Sequence, residues 1–118
     1  MSDFTGLTTR VRAFCDARDW ERFHAPKNLA AALVVEAAEL LEIFQWMSED
    51  ESRNIPETKL QHVREEVGDV LILLTNLASH LGIDPVAAAN DKLKLNEQKY
   101  PADRVRGKAL KYDEYDTK

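Results

Sequence analysis

The chain has 118 residues, with 16 Lys and Arg against 21 Asp and Glu, so its formal net charge is −5 and its length suits one domain. Its 44% apolar and 31% charged residues describe a globular protein, and the acidic balance argues against a nucleic-acid partner, whose phosphates need clustered Lys and Arg. The single cysteine, Cys15, excludes an internal disulfide, and no stretch reads as a signal peptide or as the roughly 20 apolar residues of a membrane span, so a cytoplasmic location with no membrane attachment is expected.

Leu7, Val11, Phe14 and Cys15 recur at helical spacing and predict a first helix from Thr5 to about Arg18. Residues 19–26, holding Trp20, Phe23 and His24, read as a short irregular link. Asn28 is the expected N-cap of a long helix ending near Met47 or Ser48. The polar stretch 48–55 breaks the pattern, and Pro56 opens a second long helix that reaches His80, with Gly82 as its stop. Asp84 and Pro85 read as the N-cap and first residue of a fourth helix, which Tyr100–Pro101 ends after about Lys99. No segment alternates as a half-buried strand would. The expectation is an all-α four-helix bundle with an antiparallel central hairpin. Residues 1–101 form its single domain, and 102–118 a basic tail, flexible or closing over the site, that carries Arg104, Arg106, Lys108 and Lys111.

The informative residues are Glu36, Glu39, Glu66 and Asp69. Each pair is spaced i, i+3 and projects from one face of its helix. The first pair lies in the segment from Leu29 to Phe44, which is apolar nearly all round and contains no Lys or Arg. A carboxylate buried there is costly without positive compensation. In an antiparallel hairpin about residues 48–56, positions equidistant from the turn lie opposite each other, which sets Glu39 against Glu66 and Glu36 against Asp69. Four like charges at contact distance repel, or share protons, unless a cation sits among them.

An all-carboxylate set suits Mg²⁺, with Mn²⁺ as a substitute, and no Cys or His is placed to make a zinc site. A di-iron bundle would need Glu-x-x-His on two helices, and the pairs here are Glu-x-x-Glu and Glu-x-x-Asp. A carboxylate-held Mg²⁺ keeps waters and takes up substrate phosphates, which suggests hydrolysis of a phosphate ester or phosphoanhydride. The chain has no Gly-rich phosphate loop ending in Gly-Lys. The plain alternative is a pair of charged helix edges in a non-catalytic helical-bundle interaction module.

Glu36-x-x-Glu39, followed after 26 residues by Glu66-x-x-Asp69, resembles the MazG-like group of all-α nucleoside triphosphate pyrophosphohydrolases. The segments Arg18-Asp-Trp20-Glu-Arg-Phe-His24-x-Pro-Lys-Asn28 and Phe44-Gln-Trp46, with Lys92, Asn96 and Lys99-Tyr100-Pro101, resemble its dCTP pyrophosphatase branch. The likeness covers about Arg18 to Pro101, with a weaker echo at Lys108–Tyr112. It implies a Mg²⁺-dependent cleavage between the α and β phosphates of a nucleoside triphosphate substrate, giving a monophosphate and pyrophosphate. Glu36, Glu39, Glu66 and Asp69 are the implied metal ligands. Lys92, Asn96 and Tyr100 are implied contacts to sugar or phosphate, and Trp20, His24 and Trp46 are implied to line or cover the base. A homo-oligomer is implied too, a dimer or dimer of dimers with composite sites. The chain departs from the pattern at Val35, where such proteins often carry a further Glu. It also departs at Leu73 and Val11, which stand where animal members of the branch have Tyr and His.

Among the remaining residues, Trp46 shares a helical wheel stripe with Asn28 and Glu39, so stacking on a nucleobase fits it as well as packing does. Glu65 flanks the ligands and is a candidate to orient a water or a second metal, and Glu42 is a weaker one. His62 and His80 read as surface residues, and Cys15 as a small core residue with no base to activate it. The expected function is house-cleaning of the nucleotide pool by a dNTP pyrophosphohydrolase that prefers dCTP or a modified dCTP. A related all-α dUTPase remains the enzymatic alternative.

Overall fold

In the computed structural model, which describes residues 3–111 and 113–114, each regular element among these residues is helical. The Asp3 carboxylate accepts the Gly6 amide and opens α1 (Phe4–Ala17). The link that follows turns at Asp19, which holds a left-handed φ of 53°, and continues as a single 3₁₀ turn over Glu21–Phe23. Helix α2 (Pro26–Phe44) starts two residues before the expected Asn28 cap. Pro26 at its first position is preset in φ and lacks the amide that a cap would have to satisfy, so Ala25 suffices as the flanking residue. Asn28 instead reaches back with its Nδ2 to the Phe23 carbonyl, at 3.2 Å, and ties the link to the helix.

The polar stretch after α2 also differs from the expected break. Ser48 and Glu51 form a reciprocal capping box, at 3.1 and 2.9 Å, and Glu49–Arg53 is the short helix α3. Pro56 then precedes α4 (Glu57–His80), which ends at Leu81 with Gly82 in a positive-φ conformation. Asp84 Oδ1 accepts the amides of Val86 and Ala87 at 3.0 and 3.1 Å and opens α5 (Pro85–Lys99), as the sequence predicts. The tail carries one short helix, α6 (Ala102–Val105). Residue 112 and residues 115–118 of the tail, with the Tyr112 end of the echo noted above, lie outside the described residues.

The chain divides into two compact units, Met1–Ile83 and Asp84–Lys118. In the first, α2 packs along α4 and α1 against α4. The hairpin is antiparallel, as expected, because His24, two residues ahead of α2, bonds Asn76 near the end of α4, whereas the middle of α2 meets Glu66. Arg12 closes the other side of this unit: its guanidinium bonds the Ser79 hydroxyl at 2.6 Å and Glu21 at 3.1 Å. The buried apolar residues are Val11, Cys15, Leu29 and Ala78, joined by the polar Thr75 and Asn76. The core therefore sits where α1, the start of α2 and the end of α4 converge. Farther along, apolar side chains stay in the open, Val34 at 69% exposure and Leu41 at 62% among them. In the second unit α5 bears no buried residue. No single helix among the described residues is long and apolar enough to cross a membrane.

Candidate functional site

Helix α2 presents Glu36 and Glu39 one turn apart, and α4 presents Glu66 across the hairpin. One carboxylate oxygen from each of the three lies within 4.8 Å of the others. All three are half-buried, which is how a helix with an apolar surround places acids it does not expose. Among the described residues none of the ion pairs involves them, so no Lys or Arg offsets their charge. In the charged state neither Glu36 Oε2 nor Glu66 Oε2, both shut off from water, has a hydrogen-bond donor. Burial, hydrogen bonding to Glu66 and Glu39, and the charges of Glu39 and Asp69 push the Glu36 carboxyl up from 4.5 to about 7.

Such a group has two stable states, one in which a proton is shared and one in which a cation replaces it. Two buried, donorless carboxylate oxygens in a set of three converging acids fit a hard divalent cation, which takes oxygen ligands and supplies the missing positive charge. Asp69, the fourth expected ligand, is exposed and stands outside the close group, although its charge is felt by Glu36. It lies one turn beyond Glu66 on the same face of α4.

An open pocket of about 480 Å³ adjoins the acids on the side of α3 and is lined by Glu39, Glu42, Ile43, His62, Glu65 and Glu66. Glu65 is exposed there, within reach of solvent and whatever enters. His62, which the sequence reads as a surface residue, is exposed but belongs to this wall, since i, i+3 and i+4 spacing puts it on the face of Glu65 and Glu66.

The aromatic residues form a separate group around the α1–α2 link. Trp20 sits edge-on to Phe14, at 5.7 Å between ring centroids, and to His24 at 6.5 Å. His24 is in turn edge-on to His80 at 6.2 Å, so His80 is half-buried and not the surface residue expected. Trp46 lies in the turn past the end of α2 and is 90% exposed. Nineteen residues of α2, about 28 Å of helix, separate it from the link. One chain therefore does not bring Trp46 to the group of Trp20 and His24. Lys92 and Asn96 lie four residues apart on α5 and Tyr100 follows its last residue; Asn96 is half-buried and its carbonyl accepts the Tyr100 amide at 2.8 Å. Cys15 is buried and its thiol is raised by burial, in keeping with a core residue. The residue that sequence reasoning missed is Asn76, a buried amide touching both Cys15 and His24; only its polarity amid an apolar run could have singled it out.

A helical hairpin that sets Glu-x-x-Glu against Glu-x-x-Asp, with a donorless acid group at its centre, defines the class, and residues 31–114 match the MazG-like family, to which the chain belongs. Individual relatives narrow the likeness. The chain is 44% identical to dCTP pyrophosphatase 1 of Mus musculus over 101 residues, 84% of this chain and 59% of the mouse protein. It is 40% identical to dCTP pyrophosphatase 1 of Homo sapiens over 103 residues, 86% of this chain and 61% of the human one. It thus spans about three-fifths of the length of these mammalian relatives. A solved pyrophosphatase from Archaeoglobus fulgidus superimposes with a TM-score of 0.80 at 43% identity, over 86% of this chain and 94% of that one.

Proposed function

We propose that the protein is a Mg²⁺-dependent pyrophosphohydrolase of deoxynucleoside triphosphates, with dCTP or a modified dCTP preferred, that cleaves the α–β anhydride to a monophosphate and pyrophosphate. The observation that carries this reading is the pair of buried carboxylate oxygens without donors, set among converging acids in a family whose curated relatives are named for dCTP. Glu36, Glu39 and Glu66, with Asp69 beside them, would hold the cation. Bound there, Mg²⁺ supplies charge neutralisation to the phosphate oxygens and acidity to a nearby water.

The chain's own residues do the rest. Glu65, exposed in the pocket next to Glu66, accepts the proton of the attacking water as the oxygen bonds to phosphorus. The bridging oxygen then leaves with its electron pair on pyrophosphate. Trp20 and His24 hold the base edge, Asn28 fixes the link that carries them, and Trp46 stacks on the base. Because Trp46 and the link stand at opposite ends of α2, the two halves of a base site are best supplied by two copies of the chain, in a dimer or dimer of dimers. The exposed apolar faces of α2 and α4 support that reading. Lys92 and Asn96, on the strength of their shared face, and Tyr100, on the strength of the family likeness, take sugar and phosphate. The setting is cytoplasmic nucleotide metabolism.

The test is a panel of dNTPs, dUTP included, incubated with the protein and Mg²⁺. Monophosphate and pyrophosphate should appear, fastest from dCTP, and chelation with EDTA should stop the reaction. Release of orthophosphate, or turnover that survives EDTA, sinks the mechanism.

A further inference from the structure

His24 is held on three sides. Trp20 and His80 meet its ring edge-on at 6.5 and 6.2 Å between centroids, and its Nδ1 lies 3.1 Å from the side-chain Nδ2 of Asn76. Asn76 is only 4% exposed and belongs to the end of α4, so its amide is fixed by the packed core and not by solvent. An amide nitrogen only donates. One of its protons points to Cys15 Sγ at 3.8 Å, and the other is the one facing the imidazole. With the amide in this orientation Nδ1 accepts, and the ring proton is left on Nε2.

From this geometry we infer that Asn76 is a positioning residue: it locks His24 as the Nε2–H tautomer, so that the link offers a fixed hydrogen-bond donor to an acceptor on the nucleobase edge, a ring nitrogen or carbonyl of a pyrimidine. The inference rests on the nucleotide reading given above and adds to it the polarity of one contact. A neutral histidine free to exchange tautomers would present a donor and an acceptor in turn. The buried amide removes that choice before substrate arrives, which lowers the ordering cost of binding. The two flanking rings fix the plane of the imidazole, and the Asn76 bond fixes its direction. Cys15 has a place in this arrangement too: its buried sulfur accepts the second amide proton at 3.8 Å.

Two measurements on the full chain test the inference. Heteronuclear NMR of the uniformly nitrogen-labelled protein should show His24 as the Nε2–H tautomer, with a nitrogen–nitrogen coupling across the bond from Asn76 Nδ2 to His24 Nδ1. Asn76→Asp keeps the shape but replaces the donor by an acceptor, so the ring proton should move to Nδ1. Loss of one neutral hydrogen bond to substrate should then raise KM for dCTP about three- to tenfold while kcat stays within about twofold. Should the buried Asp prevent folding, the wild-type coupling still reads the direction of the bond, and Asn76→Ala, which frees the ring, should raise KM in the same sense. An Nδ1–H tautomer in an active wild-type enzyme overturns the role of Asn76 alone. So does an unchanged KM in a folded variant whose tautomer has reversed. A wild type with the Nε2–H tautomer that hydrolyses no dNTP overturns the pyrophosphohydrolase reading, and the base contact with it, but not the measured tautomer.

Discussion

As a proposed metal ligand, Glu36 would serve two opposed demands. A metal ligand must be a carboxylate, whereas the surroundings of Glu36 favour the carboxylic acid and raise its value to about 7. The sign of the consequence for stability follows directly. A group that holds its proton more tightly in the folded state than its ordinary 4.5 contributes stability that is fully present below that value and is lost as pH rises through about 7. The metal-free protein should therefore lose melting temperature over this window, and Glu36→Gln, which cannot ionise, should flatten the loss. At about pH 8 the variant should melt above the metal-free wild type, and near pH 4 the two should coincide. A divalent cation reverses the order, since it stabilises only the wild-type carboxylates. Thermal unfolding against pH, with and without Mg²⁺, reads both signs, and dNTP turnover of Glu36→Gln should be abolished. A variant that melts below the metal-free wild type at alkaline pH would show that the cluster is held together by something other than a proton or a cation.

At the scale of the element, the hairpin depends on how the chain leaves α2 and enters α4. The capping box of Ser48 and Glu51 orders α3 in between by satisfying amides that would otherwise lack partners. Ser48→Ala should cost about 1 kcal/mol in urea unfolding, and Ser48→Asp, which keeps the acceptor, should retain most of it. Larger loss from Ser48→Asp than from Ser48→Ala would mean that the cap is not what holds the turn. The Ser-x-x-Glu signal stood in the sequence, hidden by the general polarity of residues 48–55. The antiparallel register was legible because helical rise is constant, so Glu39 and Glu66 could be set level from their distance to the turn. The starts of α4 and α5 were legible for a similar reason, since Pro56, Asp84 and Pro85 act locally. Asn28 misled because its side chain has two uses, and Pro26 before it had already met the needs of the helix start. The bond from Asn76 to His24 joins residues 52 apart and depends on packing that no local pattern encodes. That Asp69 is exposed and stands outside the close acid group is likewise a detail that spacing does not fix.

Over the whole molecule the apolar surface is larger than one copy covers. Val34 and Leu41, seven residues apart on α2, form one stripe at 69% and 62% exposure, and Leu60, Val67, Leu71 and Leu74 form another along α4. The sequence made α2 apolar nearly all round, as a helix buried on every side would be, yet only one side of it meets α4. On the proposed reading a second copy, whose own stripe has the same chemistry, would cover it and would also deliver a Trp46 toward the link that one chain cannot reach. Val34→Lys with Leu41→Lys separates the two possibilities for this face. Because both positions are exposed in the single chain, the substitutions should change its own folding stability by no more than about 0.5 kcal/mol. If the stripe is covered by another copy, four charges enter an apolar contact in a dimer and should drive it apart. Sedimentation of the wild type should give a multiple of the single-chain mass, and the double variant the single mass with its helical circular dichroism intact. A wild type that sediments as one chain would leave the stripe exposed to water and remove the support it lends to a shared base site.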